Sequence, residues 1–131
     1  MTIFESKATI NKPIEGIYGF LADMNNHQRL MPESIQNWSS SHDEAHFDIQ
    51  NMATLALKIE SRTENDQIKI IAFDKPPFGL EINWELKPAD DATEVTFTIT
   101  ADLNMMMKML ASGPLQKLVD SETQALTAVF A

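Results

Sequence analysis

Few side chains among these 131 residues are equipped for chemistry, and Glu122 is the most conspicuous of them. At about 100° per residue, the stretch GPLQKLVDSETQALTAVFA brings Leu115, Leu118, Val119, Leu126, Val129 and Phe130 onto one arc. Glu122 falls near the middle of that arc, away from the polar side that carries Gln116, Lys117, Asp120 and Gln124. A carboxylate among apolar neighbours must find a partner or rise in pKa, because burial disfavours its charge. Such a group can hold a ligand hydroxyl or act as a general acid or base. The competing reading is a helix turned or frayed so that Glu122 reaches water.

The other chemical groups offer less. HDEAH, His42 to His46, echoes the H-E-x-x-H zinc helix, but its Glu is displaced by one position and the Ser-rich stretch before it reads as a turn, so no metal site is expected. Strand parity places His46 with Asp48 on the wet face, and Lys58 and Arg62 on the wet side of their own strand. No base stands beside a Ser or Thr in a nucleophile motif, and the four glycines form no phosphate-cradling loop. With no cysteine, thiolate catalysis and Cys-ligated metal centres are excluded. No catalytic residue is assigned, Glu122 being the one candidate if the domain is an enzyme. Ser6 and Asn51 remain as neutral polar contacts, and no cofactor is implied.

These residues need elements to position them. TIFESKATI alternates, with Phe4, Ser6, Ala8 and Ile10 on one side, and reads as a strand. Asn11 is expected to cap a short helix that has Pro13 in its first turn and Ile14, Ile17, Tyr18 and Leu21 at helical spacing. NNHQRLM forms a second short helix that stops before Pro32.

Strands then follow around Leu55, Leu57 and Ile59; around Leu80, Ile82, Trp84 and Leu86; and around Val95, Phe97, Ile99 and Ala101, each with one wet and one dry face. QIKIIAFDK carries apolar residues on both faces, Ile71 and Phe73 opposing Ile68 and Ile70, which suggests a bulge or a second contact surface. Turns fall at Asn65-Asp66, Asp74 to Gly79 and Ala89 to Ala92, and Phe78, at the tip of DKPPFG, is a candidate contact for ligand or lipid. The pattern is an antiparallel meander in a single domain, residues 1–131, whose dry face is covered by the last helix. Gly113-Pro114 reads as a break before that helix restarts.

Composition narrows the partners. A net charge of −9, only two arginines (Arg29 and Arg62) and no basic cluster argue against nucleic acid and anionic membrane surfaces. No run approaches membrane-span length, and the opening MTIFESKATI lacks the marks of a signal peptide, so the expected location is cytoplasmic, without stable membrane insertion.

The front segment ATINKPIEGIYGFLADMNNHQRLMPE resembles the opening strand, helix and following proline of the START-related superfamily, which includes polyketide cyclases, lipid-transfer domains and birch-pollen-allergen-like proteins. Pro13, Glu15, Ile17, Tyr18, Leu21, Asp23 and Pro32 match its pattern, and ASGPLQKLVDSETQALTAVF resembles its closing helix. The resemblance implies an α+β helix-grip fold: a curved antiparallel sheet of about six or seven strands around a long C-terminal helix, with two short helices after the first strand. It also implies a cavity for an apolar or amphipathic small molecule.

In that family the segment before the closing helix lies near the cavity mouth. LNMMMKML, Leu103 to Leu110, holds four of the chain's eight methionines, so it is read either as an adjustable lip over the ligand or as plain core filler.

The expected function is binding, and with it transport or sequestration, of a hydrophobic small molecule such as a lipid, sterol-like or polyketide-like compound. The expected ligand contacts are Leu57, Ile70, Ile82, Trp84, Phe97, Ile99, Met106, Met107, Leu118 and Glu122. Two alternatives stay open. One is a cyclase or aromatase using the same cavity. The other is a protein-interaction module without a ligand, whose apolar edge around Ile71 and Phe73 docks a partner or a second copy as a homodimer.

Overall fold

Alternating side chains build the sheet, and seven strands carry them. A computed structural model describes residues 1–50 and 52–131. It runs β1 (Thr2–Ile10), α1 (Ile14–Leu21), a 3-10 helix (Met24–Leu30), β2 (Ile35–Ser40), β3 (Glu44–Ile49), β4 (Ala53–Thr63), β5 (Gln67–Phe73), β6 (Gly79–Ala89), β7 (Ala92–Asp102) and α2 (Met105–Val129). The sheet order is β1-β7-β6-β5-β4-β3-β2, antiparallel throughout, so β2 to β7 form a meander and β1 closes against β7. The sheet curls into a half-barrel with α2 across its inner face, as expected of an α+β helix-grip fold.

Register sets the inner rows. Ser6 pairs with Phe97, Phe97 with Trp84 and Trp84 with Ile68; one step along, Phe4, Ile99, Ile82, Ile70 and Ile59 form the next row. Residues directly opposite one another share a face, so the second row is a continuous apolar stripe, and the first is apolar from Phe97 to Ile68 and begins at Ser6. Against these stripes α2 buries Ala111, Leu115, Leu118, Val119, Thr123 and Leu126. Each large side chain removed from water in this way contributes roughly 1.5–3 kcal/mol. A hydrogen bond of 2.7 Å between the hydroxyls of Ser6 and Thr123 fixes α2 to β1.

Five local expectations need correction. Pro13, in extended conformation, is the N-cap of α1, and no side chain caps that end; Asn11 does not. The bulge falls on β4, between Ile59 and Ser61, rather than within β5. That extra residue reverses the parity of the rest of β4, so Arg62 pairs with the inward Ile68 and leaves the wet side that Lys58 keeps. Ile71 and Phe73 lie on β5 in the middle of the sheet, not at an edge, half-buried, with the Lys58 ammonium over the Phe73 ring at 5.4 Å.

The fifth correction concerns α2. It does not restart at Gly113-Pro114: it begins at Met105, where the Asn104 side chain accepts the Met107 N–H at 2.8 Å, and continues through Pro114. Proline removes one helical hydrogen bond, to the carbonyl four residues earlier. That residue is Leu110, which is exposed, so water can satisfy the freed carbonyl.

Candidate functional site

The end of α1 and the chain that follows it shape one wall of the site. A helix leaves its last carbonyls without intrahelical partners, and three side chains take up those of α1 and its C-cap. Asn26 donates to the Phe20 carbonyl at 3.0 Å, His27 Nε2 to Leu21 at 2.8 Å, and Arg62 Nε to Ala22 at 2.8 Å. Arg62 also reaches the His42 carbonyl and the Asp43 carboxylate, so its inward turn ends in a structural clamp.

His27 is 2 % exposed and lies on the inner side of the 3-10 helix with Met24 and Leu30. A carbonyl can only accept, so the proton of its ring sits on Nε2 and Nδ1 presents a lone pair. Burial holds its pKa below the ordinary histidine range, against the opposing pull of the Leu21 bond and the Asp23 charge. The ring is neutral at pH 7.

A cavity of about 30 Å³ lies between this segment, the sheet and α2. Leu57, Ile70, Ile82 and Trp84 line it, as do Phe97, Ile99, Leu118 and Glu122. Eight of the ten expected contacts are thus brought together. Met106 and Met107 are not among them: Met106 is 72 % exposed, while Met107 is half-buried against the core. Both sit in the first turns of α2, where Met105, Met109 and Leu110 also face solvent. The methionines that do line the cavity are Met24 and Met31, beside His27 and a stacked pair, Trp38 on Phe47 at 5.4 Å.

Polar functions in this wall are few. Glu122 is 4 % exposed, and desolvation pushes its pKa from 4.5 up to about 8, with no hydrogen bond or neighbouring charge contributing. At neutral pH it is a carboxylic acid, able both to donate and to accept. Trp84 is fully buried, stacked on Phe97 at 3.9 Å and edge-on to His27 at 6.2 Å, and its indole N–H has no acceptor among the described residues.

A groove of about 240 Å³ shares Ile49, Leu115 and Leu118 with the cavity and opens between Pro32 to Ile35 and the Gly113-Pro114 turn of α2. A site of about 30 Å³ accommodates a group the size of water or a hydroxyl, whereas the groove has room for a larger apolar body.

Other sequence candidates fall elsewhere. Ser6 is occupied by Thr123, and Asn51 lies outside the described residues. His42 is in a turn, 3.5 Å from Asp23, and His46 is exposed on β3, so HDEAH forms no helix. No group of three or more His, Cys, Asp or Glu side chains placed to hold a metal ion occurs among the described residues, and none of their helices is long and apolar enough to cross a membrane. Phe78 is buried, away from the cavity.

No protein-family model and no curated protein matches the chain. Solved structures do. The protein XoxI from Bacillus cereus is 13% identical over 99% of this chain and 96% of its own, with a TM-score of 0.78. The Aha1 dimer from Colwellia psychrerythraea is 16% identical over 99% and 96%, with a TM-score of 0.73. CV1439 from Chromobacterium violaceum is 10% identical over 99% and 98%, with a TM-score of 0.75. At these identities the likeness shows the fold alone, a curled antiparallel sheet with a C-terminal helix, compatible with the helix-grip architecture.

Proposed function

We propose that this chain is a START-related domain that binds a hydrophobic small molecule between its sheet and α2 without transforming it. The observation that carries this reading is Glu122: a buried carboxyl, held in its neutral form by desolvation, in the wall of an otherwise apolar cavity that adjoins an open groove. Burying a carboxyl among apolar side chains costs stability that leucine at this position would not. A ligand that supplies a hydrogen-bond partner offsets that cost. Affinity would come mainly from apolar burial, and orientation from the few polar groups.

N-phenyl-1-naphthylamine, a neutral fluorophore that brightens in apolar surroundings, tests the reading. Saturable one-to-one enhancement is expected with the wild-type protein, and its loss in Leu118→Arg, which blocks the shared wall of groove and cavity. Absence of saturable binding to folded wild-type protein contradicts the proposal.

One observation favours a second reading. Neutral Glu122 and His27 both line one cavity, and an acid and a base are the pair that chemistry of the cyclase or aromatase type requires. That reading predicts turnover of a polyketone that collapses in Glu122→Ala while binding persists.

A further inference from the structure

We propose that Met105, Met106 and Met109 form a binding site for one soft monovalent metal ion, of the Cu(I) or Ag(I) class, on the outer side of the first two turns of α2. The site lies apart from the cavity and goes beyond the binding reading above. It starts from three large side chains that add little to the core: Met105 is 82 % exposed, Met106 72 % and Met109 82 %. As packing, alanine would serve these positions equally well. What methionine adds is a thioether sulfur, a soft and polarizable donor.

Helix geometry makes the three sulfurs neighbours. The backbone that carries them is regular from its first turn, where the Asn104 side chain accepts the Met107 N–H and the Asn104 carbonyl accepts the Lys108 N–H, both at 2.8 Å. At about 100° per residue, Met105, Met109 and Met106 span an arc of about 100°, while Met107 turns the other way, half-buried against the core. Residues three and four apart on a helix have Cβ atoms about 5–6 Å apart, and this spacing relates Met109 to both Met106 and Met105. Side chains this exposed are free to turn their rotatable bonds and aim three sulfurs at one point.

The donor set selects the ion. Thioethers suit Cu(I), whereas carboxylate and carbonyl oxygens suit Mg, Ca and Mn. His, Cys, Asp and Glu form no group of three placed to hold a metal among the described residues, so harder ions have no comparable site there. The chain has no cysteine, so no thiolate competes for a soft ion. Lys108 lies outside the methionine arc, and the net charge of −9 favours a cation at the surface over an anion. The positive end of the helix dipole opposes the ion only weakly on an exposed flank, where salt screens it.

Silver nitrate in chloride-free buffer, a redox-stable stand-in for Cu(I), tests the site by titration of protein labelled with ¹³C at its methionine methyls. Single Met→Leu variants identify the eight methyl signals. The signals of Met105, Met106 and Met109 should move together and saturate at one ion per chain, while that of the buried Met24 stays in place. Zinc should leave all of them unmoved. The triple variant Met105→Leu, Met106→Leu, Met109→Leu keeps the apolar surface and removes the sulfurs, and in native mass spectrometry it should bind silver roughly tenfold or more weakly. Unmoved signals at Met105, Met106 and Met109, movement of the three at different ion ratios, an equal response to zinc, or unchanged silver affinity in the triple variant overturns the proposal. The titration itself uses unmodified protein, so a variant that fails to fold cannot obscure the result.

Discussion

Replacing Glu122 by glutamine should make the protein more stable, and increasingly so as pH rises. Its carboxyl has a folded pKa of about 8 against an ordinary value of 4.5. Between those two values the folded chain keeps a proton that the unfolded chain releases. Folding stability therefore falls with rising pH, by about 1.4 kcal/mol per unit for one group. The favourable state is fully present below 4.5 and is lost progressively up to about 8, a total on the order of 5 kcal/mol across that window. At pH 7 the penalty is already about 3 kcal/mol, a large share of the stability of a typical domain, roughly 5–15 kcal/mol.

Glutamine preserves the shape and cannot ionise. Urea unfolding at 25 °C, from pH 4 to 9 and with tryptophan fluorescence as probe, gives the variant-minus-wild-type difference. Subtraction removes the contribution of every other titrating group. The difference should be nearly flat below pH 4.5, climb through neutrality and level off above pH 8. A flat difference across the whole range would refute the burial of Glu122 and with it the orientation of α2.

The remaining predictions concern its neighbours. His27, whose folded pKa is depressed, contributes stability that is present above pH 6.5 and lost as pH falls through its folded value. His27→Gln, which keeps an N–H donor for Leu21, should remove that acid sensitivity in the same urea series; an unchanged acid limb counts against a buried neutral ring. Pro114→Ala restores a helical N–H and should stabilise the fold by about 1–3 kcal/mol in thermal unfolding, whereas destabilisation would mean that Pro114 does not sit inside a continuous helix. Phe97→Ala removes the Trp84 stack and should cost about 3–5 kcal/mol. Met106→Ala, on the exposed turn of α2, should stay within about 0.5 kcal/mol; a large Met106 effect would show that the methionine run is packed after all.

How far the sequence discloses this molecule depends on which signal each residue carries. The period of two makes β6 and β7 legible, because Leu80 to Leu86 and Val95 to Ala101 alternate without interruption and face the core in register. Glu122 is legible for the same kind of reason, since its angle around α2 is fixed by regular helix geometry whatever lies opposite.

Arg62 is not legible, because one extra residue on β4 reverses its face and no glycine or proline marks the bulge. His27 goes unnoticed in a short 3-10 helix, though Met24, His27 and Leu30, three apart, offer a usable signal at that helix's period of three. The methionine run misleads for a different reason. Gly113-Pro114 reads as a helix break, yet the freed carbonyl lies at the exposed Leu110, so the helix continues and the methionines become its outer turns.

The central claim is that a small molecule occupies the space between the sheet and α2. Native mass spectrometry of gently purified protein, set against the denatured mass of the same sample, tests it most directly. We expect an adduct of one small organic molecule per chain, lost on denaturation and absent or reduced in Leu118→Arg. A bare wild-type chain, even after incubation with 1-decanol and N-phenyl-1-naphthylamine, would contradict the claim and point instead to a filled core.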